Sequence, residues 1–248
     1  KLSEKLDNWA LKGAFIDDAE LIKRVSPDKN AKVLIIHGIG NNQFDVFKGE
    51  HGKLRNFKNQ QSHLLKEGVN KMNLDPDFLE NTLSLIGKVD FVANYTGNGI
   101  VDIILSGFEK TGWSIASRKI MEPYKNEEYR MVYAHSAGAY IYLNHGHQMK
   151  DDYRTFIGAE GNFGGRLKGF DPDTTHFIAF KNDVVPHLAP MENGNGIGVD
   201  IAFGRGGALI EKQNAPGDPS PFDLSGNHDY RKYFLVDIHR LQGILNNY

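Results

Sequence analysis

Val33-Leu34-Ile35-Ile36 is an uninterrupted run of β-branched and aliphatic residues that ends in His37-Gly38-Ile39-Gly40. A strand with solvent on one face alternates apolar and polar positions, so a run without alternation belongs to a strand covered on both faces, as in the centre of a parallel sheet. Further strand patterns follow at Val89 to Tyr95, Arg130 to Ala134, Arg154 to Gly158 and His176 to Phe180. Helical spacing of apolar residues separates several of them: Gln60 to Val69, Phe78 to Ile86, and a long amphipathic stretch from Ile103 through Ile120. Strands alternating with helices close as right-handed βαβ units. The expected fold class is therefore α/β, a mostly parallel central sheet flanked by helices.

The 248 residues carry no Pro/Ser-rich linker or charge block and are read as a single domain over 1–248. Residues 1–30 are expected to form a helical N-terminal extension, and the glycine-rich 187–227 a loop or hairpin insertion. With 29 Lys+Arg against 31 Asp+Glu there is no basic footprint for a phosphate backbone, so nucleic acid is not an expected partner. The absence of cysteine removes disulfides, thiolate metal sites and a Cys nucleophile from consideration. No apolar run approaches the length of a membrane span. The chain begins at Lys1 without an initiator Met, which fits a trimmed form or a fragment and leaves the compartment unassigned.

Ser136 stands between the apolar run ending at Ala134 and an incipient helix from Ala137 or Gly138. Small residues two before and two after it, Ala134 and Gly138, make Ala134-His135-Ser136-Ala137-Gly138 a variant of the G-x-S-x-G elbow. Such a turn pushes the hydroxyl out of the sheet and sets it at a helix N-terminus, where free N–H groups favour a developing oxyanion. A plain N-cap is the alternative for a serine in this place. An elbow also needs an oxyanion donor from an earlier βα loop, then a carboxylate and a histidine later in the chain.

The donors are assigned to the backbone N–H of Ile39, where Gly38 lets the chain turn, and of Ala137. A phosphate loop at 38–42 is disfavoured, because its Lys and Ser/Thr are missing. Asp183, in the loop after a late strand, is the expected acid, with Glu160 as rival. His228, in the polar Ser225-Gly226-Asn227-His228, is the expected base. His37 precedes the acid, His187 is too close to it, and His239 lies among Val236, Ile238 and Leu241. Ile100 and Ile104, in an apolar stretch after a glycine-punctuated loop, are candidate substrate-binding residues or part of a lid, with a core helix as the equal alternative.

Other signals are weaker. Gly194, Gly196 and Gly198 lack a preceding strand and the spacing of a dinucleotide fingerprint. His145 and His147 are two apart, on different sides of a helix, unlike a zinc pair. Asp171-Pro172-Asp173 is better read as a capping turn than as a calcium site. No cofactor and no catalytic metal are expected.

His37-Gly38-Ile39-Gly40, the Ser136 elbow, Asp183-Val184-Val185-Pro186 and the late His228 together resemble the α/β-hydrolase lipases and esterases. Small bacterial triacylglycerol lipases carry a similar strand-to-HGIG loop and elbow; the pieces around Asp183 and His228-Asp229-Tyr230 look like those of fungal-type lipases. The resemblance runs from about Lys32 to Tyr233 in short motifs, and departs from many relatives at Ala139, where they have a second glycine. It implies a Ser-His-Asp triad and hydrolysis of carboxylic esters, with lipid or phospholipid acyl esters favoured and transient contact with a lipid surface. Small soluble esters, amides or thioesters, and a non-catalytic binding protein on the same fold, are the alternatives.

Overall fold

The computed structural model describes residues 30–39, 69, 73–87, 89–92, 99–115, 117–159, 170–180, 182–183, 185–187, 210–211, 228 and 230–247. Nearly all of 1–30, of the helical pattern at 60–69 and of the glycine-rich 187–227, together with the rival acid Glu160, lie outside the described residues. The elements run β1 (Val33–Ile36), α1 (Pro76–Ile86), β2 (Val89–Val92), α2 (Gly99–Lys110), α3 (Ser117–Met121), β3 (Glu128–His135) and α4 (Gly138–His145). They continue with β4 (Lys150–Ile157), β5 (Thr175–Ile178), a two-residue β6 (Ile210–Glu211), α5 (Tyr230–Val236) and α6 (Ile238–Asn246). All strand pairs are parallel, in the order β2-β1-β3-β4-β5-β6. The α/β class expected from the alternating pattern is the one observed.

The covering of both sheet faces explains the unbroken run in β1. Val33 and Ile35 pack into one core with Leu79, Leu83 and Ile86 of α1, Phe234 of α5 and Leu241 of α6. Leu34 and Ile36 point to the other face and join Leu105 of α2, Ile120 of α3 and Ile141 of α4. Removing each such side chain from water is worth roughly 1.5–3 kcal/mol, so β1 anchors both layers. α1 is delimited locally: Asp75 caps it by accepting from Asp77 N at 3.0 Å, Pro76 opens it, and Gly87 at φ 67° closes it.

From β1 the chain crosses to β2 on one side, over α1; it then returns past β1 to β3 and β4 over α2, α3 and α4 on the opposite face. A single crossover hand demands this change of face when the direction of winding reverses. The direction of winding therefore reverses between β1 and β3, and the carboxyl edge of the sheet at such a switch point is where ligands bind in doubly wound folds.

The structure corrects some boundaries. The amphipathic stretch expected to be helical through Ile120 is broken between α2 and α3. Gly112 takes φ 87°, and the amides of Thr111 and Trp113 both turn back to Phe108 O at 3.0 Å, ending the helix. β3 and β4 start earlier than their apolar patterns, since Glu128 still pairs with Lys150 in register and by a 3.0 Å ion pair at the exposed end of the sheet. β5 ends at Ile178, two residues before the expected Phe180.

Candidate active site

β3 delivers Ser136 to the switch point at the carboxyl edge of the sheet, and its backbone is the clearest irregularity there. Ser136 has φ 54°, left-handed, and Asn73 is the only other described residue besides glycine with positive φ. An L side chain in this conformation costs about 1–2 kcal/mol, so the turn persists only because its surroundings hold it. They do so by hydrogen bonds and by clearance. Ser136 N donates to Ile157 O at 3.0 Å, while Ser136 O accepts from Ala139 N at 3.1 Å as α4 begins. A Cβ on Gly138 would stand 2.4 Å from Ile36 O and 2.8 Å from His37 O, so β1 packs directly on this glycine. The expectation that a small residue is needed there has this contact as its cause.

Gly38 lies over the serine. A Cβ on it would come within 2.3 Å of Ser136 Cβ and 2.9 Å of Ser136 Oγ. The loop after β1 thus passes across the hydroxyl with only backbone between them, and Ile39 follows at once in a turn, half-buried. Ala137, the other expected donor, is the first residue past the serine and the N-cap of α4. Neither His37 nor His135 is exposed; His37 packs edge-on against Tyr230, with ring centroids 4.8 Å apart.

Asp183 and His228, 45 residues apart in the chain, meet at 2.7 Å through Asp183 Oδ2 and His228 Nδ1. Asp183 is buried, and its other oxygen, Oδ1, accepts from Val185 N at 3.0 Å. With Nδ1–H directed at the carboxylate, Nε2 of His228 is the nitrogen left for a substrate or a serine. His228 is tied to the serine's own strand: His135 Nε2 donates to His228 O at 2.8 Å, and the two rings lie 4.6 Å apart. Burial, and then the His228 and His37 rings nearby, push the His135 imidazole well below its ordinary value, so it is a neutral tether.

No family model matches this chain, and no curated protein and no solved structure matches it.

Two of its participants carry no motif. Gly158, just past β4 at φ 56°, is where three chain segments converge: a Cβ there would stand 3.1 Å from His228 Cε1, 3.1 Å from a Tyr233 ring carbon and 3.2 Å from Asp183 Oδ2. Tyr233 of α5 donates to Asp183 Oδ2 at 2.5 Å. The sequence places Gly158 at a strand end and Tyr233 on an apolar helix face, but only the folded chain brings both to the acid.

The remaining candidates are distributed elsewhere. Ile100 lies in the first turn of α2 and its side chain is outside the described residues; Ile104 is 56% exposed, beside Ile103, Phe108 and Trp113, whereas Leu105 is buried. α2 thus presents an apolar outer face as well as a core face. His239 is exposed and stacked on Phe78 at 4.3 Å, and Asp171 caps its own turn by accepting from Asp173 N at 2.9 Å. Among the described residues no group of three or more His, Asp or Glu could hold a metal ion, and no helix is long and apolar enough to cross a membrane.

Proposed function

We propose that the protein is a serine hydrolase of the α/β-hydrolase kind that cleaves carboxylic esters through an acyl-enzyme on Ser136. The observation that carries this reading is the left-handed Ser136 at the switch point of the sheet, under Gly38 and tethered through His135 to the His228–Asp183 pair. An N-cap serine needs neither the strain nor the cleared space.

In this reading Ser136 Oγ attacks the ester carbonyl as its proton passes to His228 Nε2. Asp183 holds the imidazole with Nδ1–H inward and stabilises the imidazolium. The oxyanion receives the N–H groups of Ile39 and Ala137, the latter at the start of α4. His228 then protonates the departing alkoxide, and a water, deprotonated by the same nitrogen, releases the acyl group. The apolar outer face of α2 favours lipid or phospholipid acyl esters over small soluble ones, with Ile100 and Ile104 as candidate contacts to acyl chains.

A fluorophosphonate probe tests the reading, since it reacts only with an activated serine. Labelling of the wild type that disappears in Ser136→Ala is expected; no labelling, or equal labelling of the variant, overturns it. A panel of esters graded by acyl length and including a phospholipid then tests the substrate class, and turnover confined to the shortest acyl groups overturns the lipid preference.

A further inference from the structure

The carboxylate of Asp183 receives three donors, and only one of them, His228, belongs to the proposed triad. Oδ1 takes Val185 N; Oδ2 takes both His228 Nδ1 at 2.7 Å and the hydroxyl of Tyr233 at 2.5 Å. Tyr233 is fully buried, stacked on Phe180 at 4.0 Å with a 25° tilt, and its oxygen accepts from Phe180 N at 3.3 Å. Its hydroxyl is thereby fixed between a strand-end amide and the acid, with its proton directed at the same oxygen that His228 uses. We propose that Tyr233 is a positioning residue that acts through Asp183: it shares Oδ2 with His228, holds the carboxylate plane, and sets how strongly the imidazolium is stabilised.

The inference rests on the proposed roles of Ser136, Asp183 and His228, and its physics is simple. Burial and the neighbouring Asp183 charge push the Tyr233 hydroxyl far up, so it stays a neutral donor at every working pH. A donor on a carboxylate draws charge away from the other partner of that oxygen. Removing it leaves His228 facing a more concentrated negative charge, which favours its protonated form. The charged and titratable groups among the described residues that face His228 are Asp183 after β5, Tyr233 of α5, His135 of β3 and, behind it, His37 after β1. Burial holds His135 neutral, so Asp183 is the group through which Tyr233 acts.

Tyr233→Phe keeps the ring and its stacking on Phe180 and removes one oxygen. The first readout is the titration of His228, followed by histidine NMR in wild type and variant, which does not depend on turnover. An upward shift of about half a unit or more is expected on loss of one hydrogen bond to the charged acid. The second is the acidic limb of kcat/KM for an ester substrate, which moves upward with it, together with a fall in kcat of roughly 3–30-fold. An unchanged or downward His228 titration overturns the role of Tyr233. Failure of the hydrolase reading is separate: wild-type protein that neither turns over esters nor labels at Ser136 overturns that reading, whatever His228 does in the variant.

Discussion

Among the described residues, serine, histidine and carboxylate come together in a cluster at each end of α4. At its N-terminal end are Ser136, His228 and Asp183. At its C-terminal end His145 lies among Ser114, Ser117, Asn144 and Glu109, between α2, α3 and α4. Composition does not separate them, but their order around the imidazole does. Asp183 occupies Nδ1 of His228 and leaves Nε2 open. At His145, Ser114 Oγ and Ser117 Oγ both sit 3.1 Å from the same Nε2, with Glu109 Oε1 at 3.6 Å. Ser117 moreover donates to Glu109 at 2.6 Å, so its proton is committed to the acid and not to a base. Its backbone carries no positive φ, and Ser117 and Glu109 are fully buried. The second cluster is a satisfied polar knot that joins three helices, whereas the first keeps a strained serine beneath a glycine. The proposed catalytic arrangement differs from the structural one in which atoms are left uncommitted.

The sharpest way to break this distinction is to remove one serine from each cluster. Ser136→Ala is expected to lower ester turnover by about 10⁶-fold with little change in melting temperature. Ser117→Ala is expected to leave turnover within a few-fold and to cost about 1–3 kcal/mol in denaturant unfolding, since a buried acceptor loses its donor. Turnover lost in Ser117→Ala and kept in Ser136→Ala would invert the assignment. The acids come next. Asp183→Asn is expected to cost roughly 10⁴-fold in kcat, as the histidine loses its tautomer. Glu109→Gln is expected to spare kcat and lower stability, because two hydroxyl donors then share an amide oxygen. A smaller effect is expected from Gly38→Ala, where the new methyl displaces the loop from Ser136: about 10²-fold in kcat/KM with the fold retained by circular dichroism.

The smallest effect concerns pH. His135 and His176 are both depressed in the folded state, chiefly by burial, so the unfolded chain binds protons that the folded chain refuses. Stability is then complete above the ordinary histidine value of about 6.5 and declines as pH falls below it. His135→Gln keeps a donor to His228 O and is expected to flatten part of that decline. An equally steep fall in melting temperature in the variant would show that His135 does not contribute.

Much of the layout was legible from the chain. β1 is readable because burial on both faces leaves an unalternated run, and Ser136 because the strand and helix on either side of it are strongly patterned. The choice of Asp183 and His228 came from order along the chain and loop context, and the structure pairs them; Glu160 lies outside the described residues. What could not be read is what depends on convergence. Gly158 matters through three residues 25 or more positions away, and no local pattern marks that. Tyr233 sits in Tyr230-Arg231-Lys232-Tyr233-Phe234, where an aromatic on the inner face of a helix signals core and its hydroxyl announces nothing. The break at Gly112 was missed because the apolar spacing continues across it, while a single positive φ ends the helix. The knot around Glu109 was equally silent, since its members come from three different helices.

The sequence separation of the site's parts has a consequence for how the protein matures. Ser136 directly follows a central strand, whereas Asp183 and His228 come later, the residue that His135 tethers lying 93 positions on. During synthesis the strand that carries the serine is made well before the base and before α5 and α6, whose Phe234 and Leu241 cover one face of β1. On the proposed reading, ester turnover would begin only once α5 has docked and brought Tyr233 and the neighbouring His228 to Asp183.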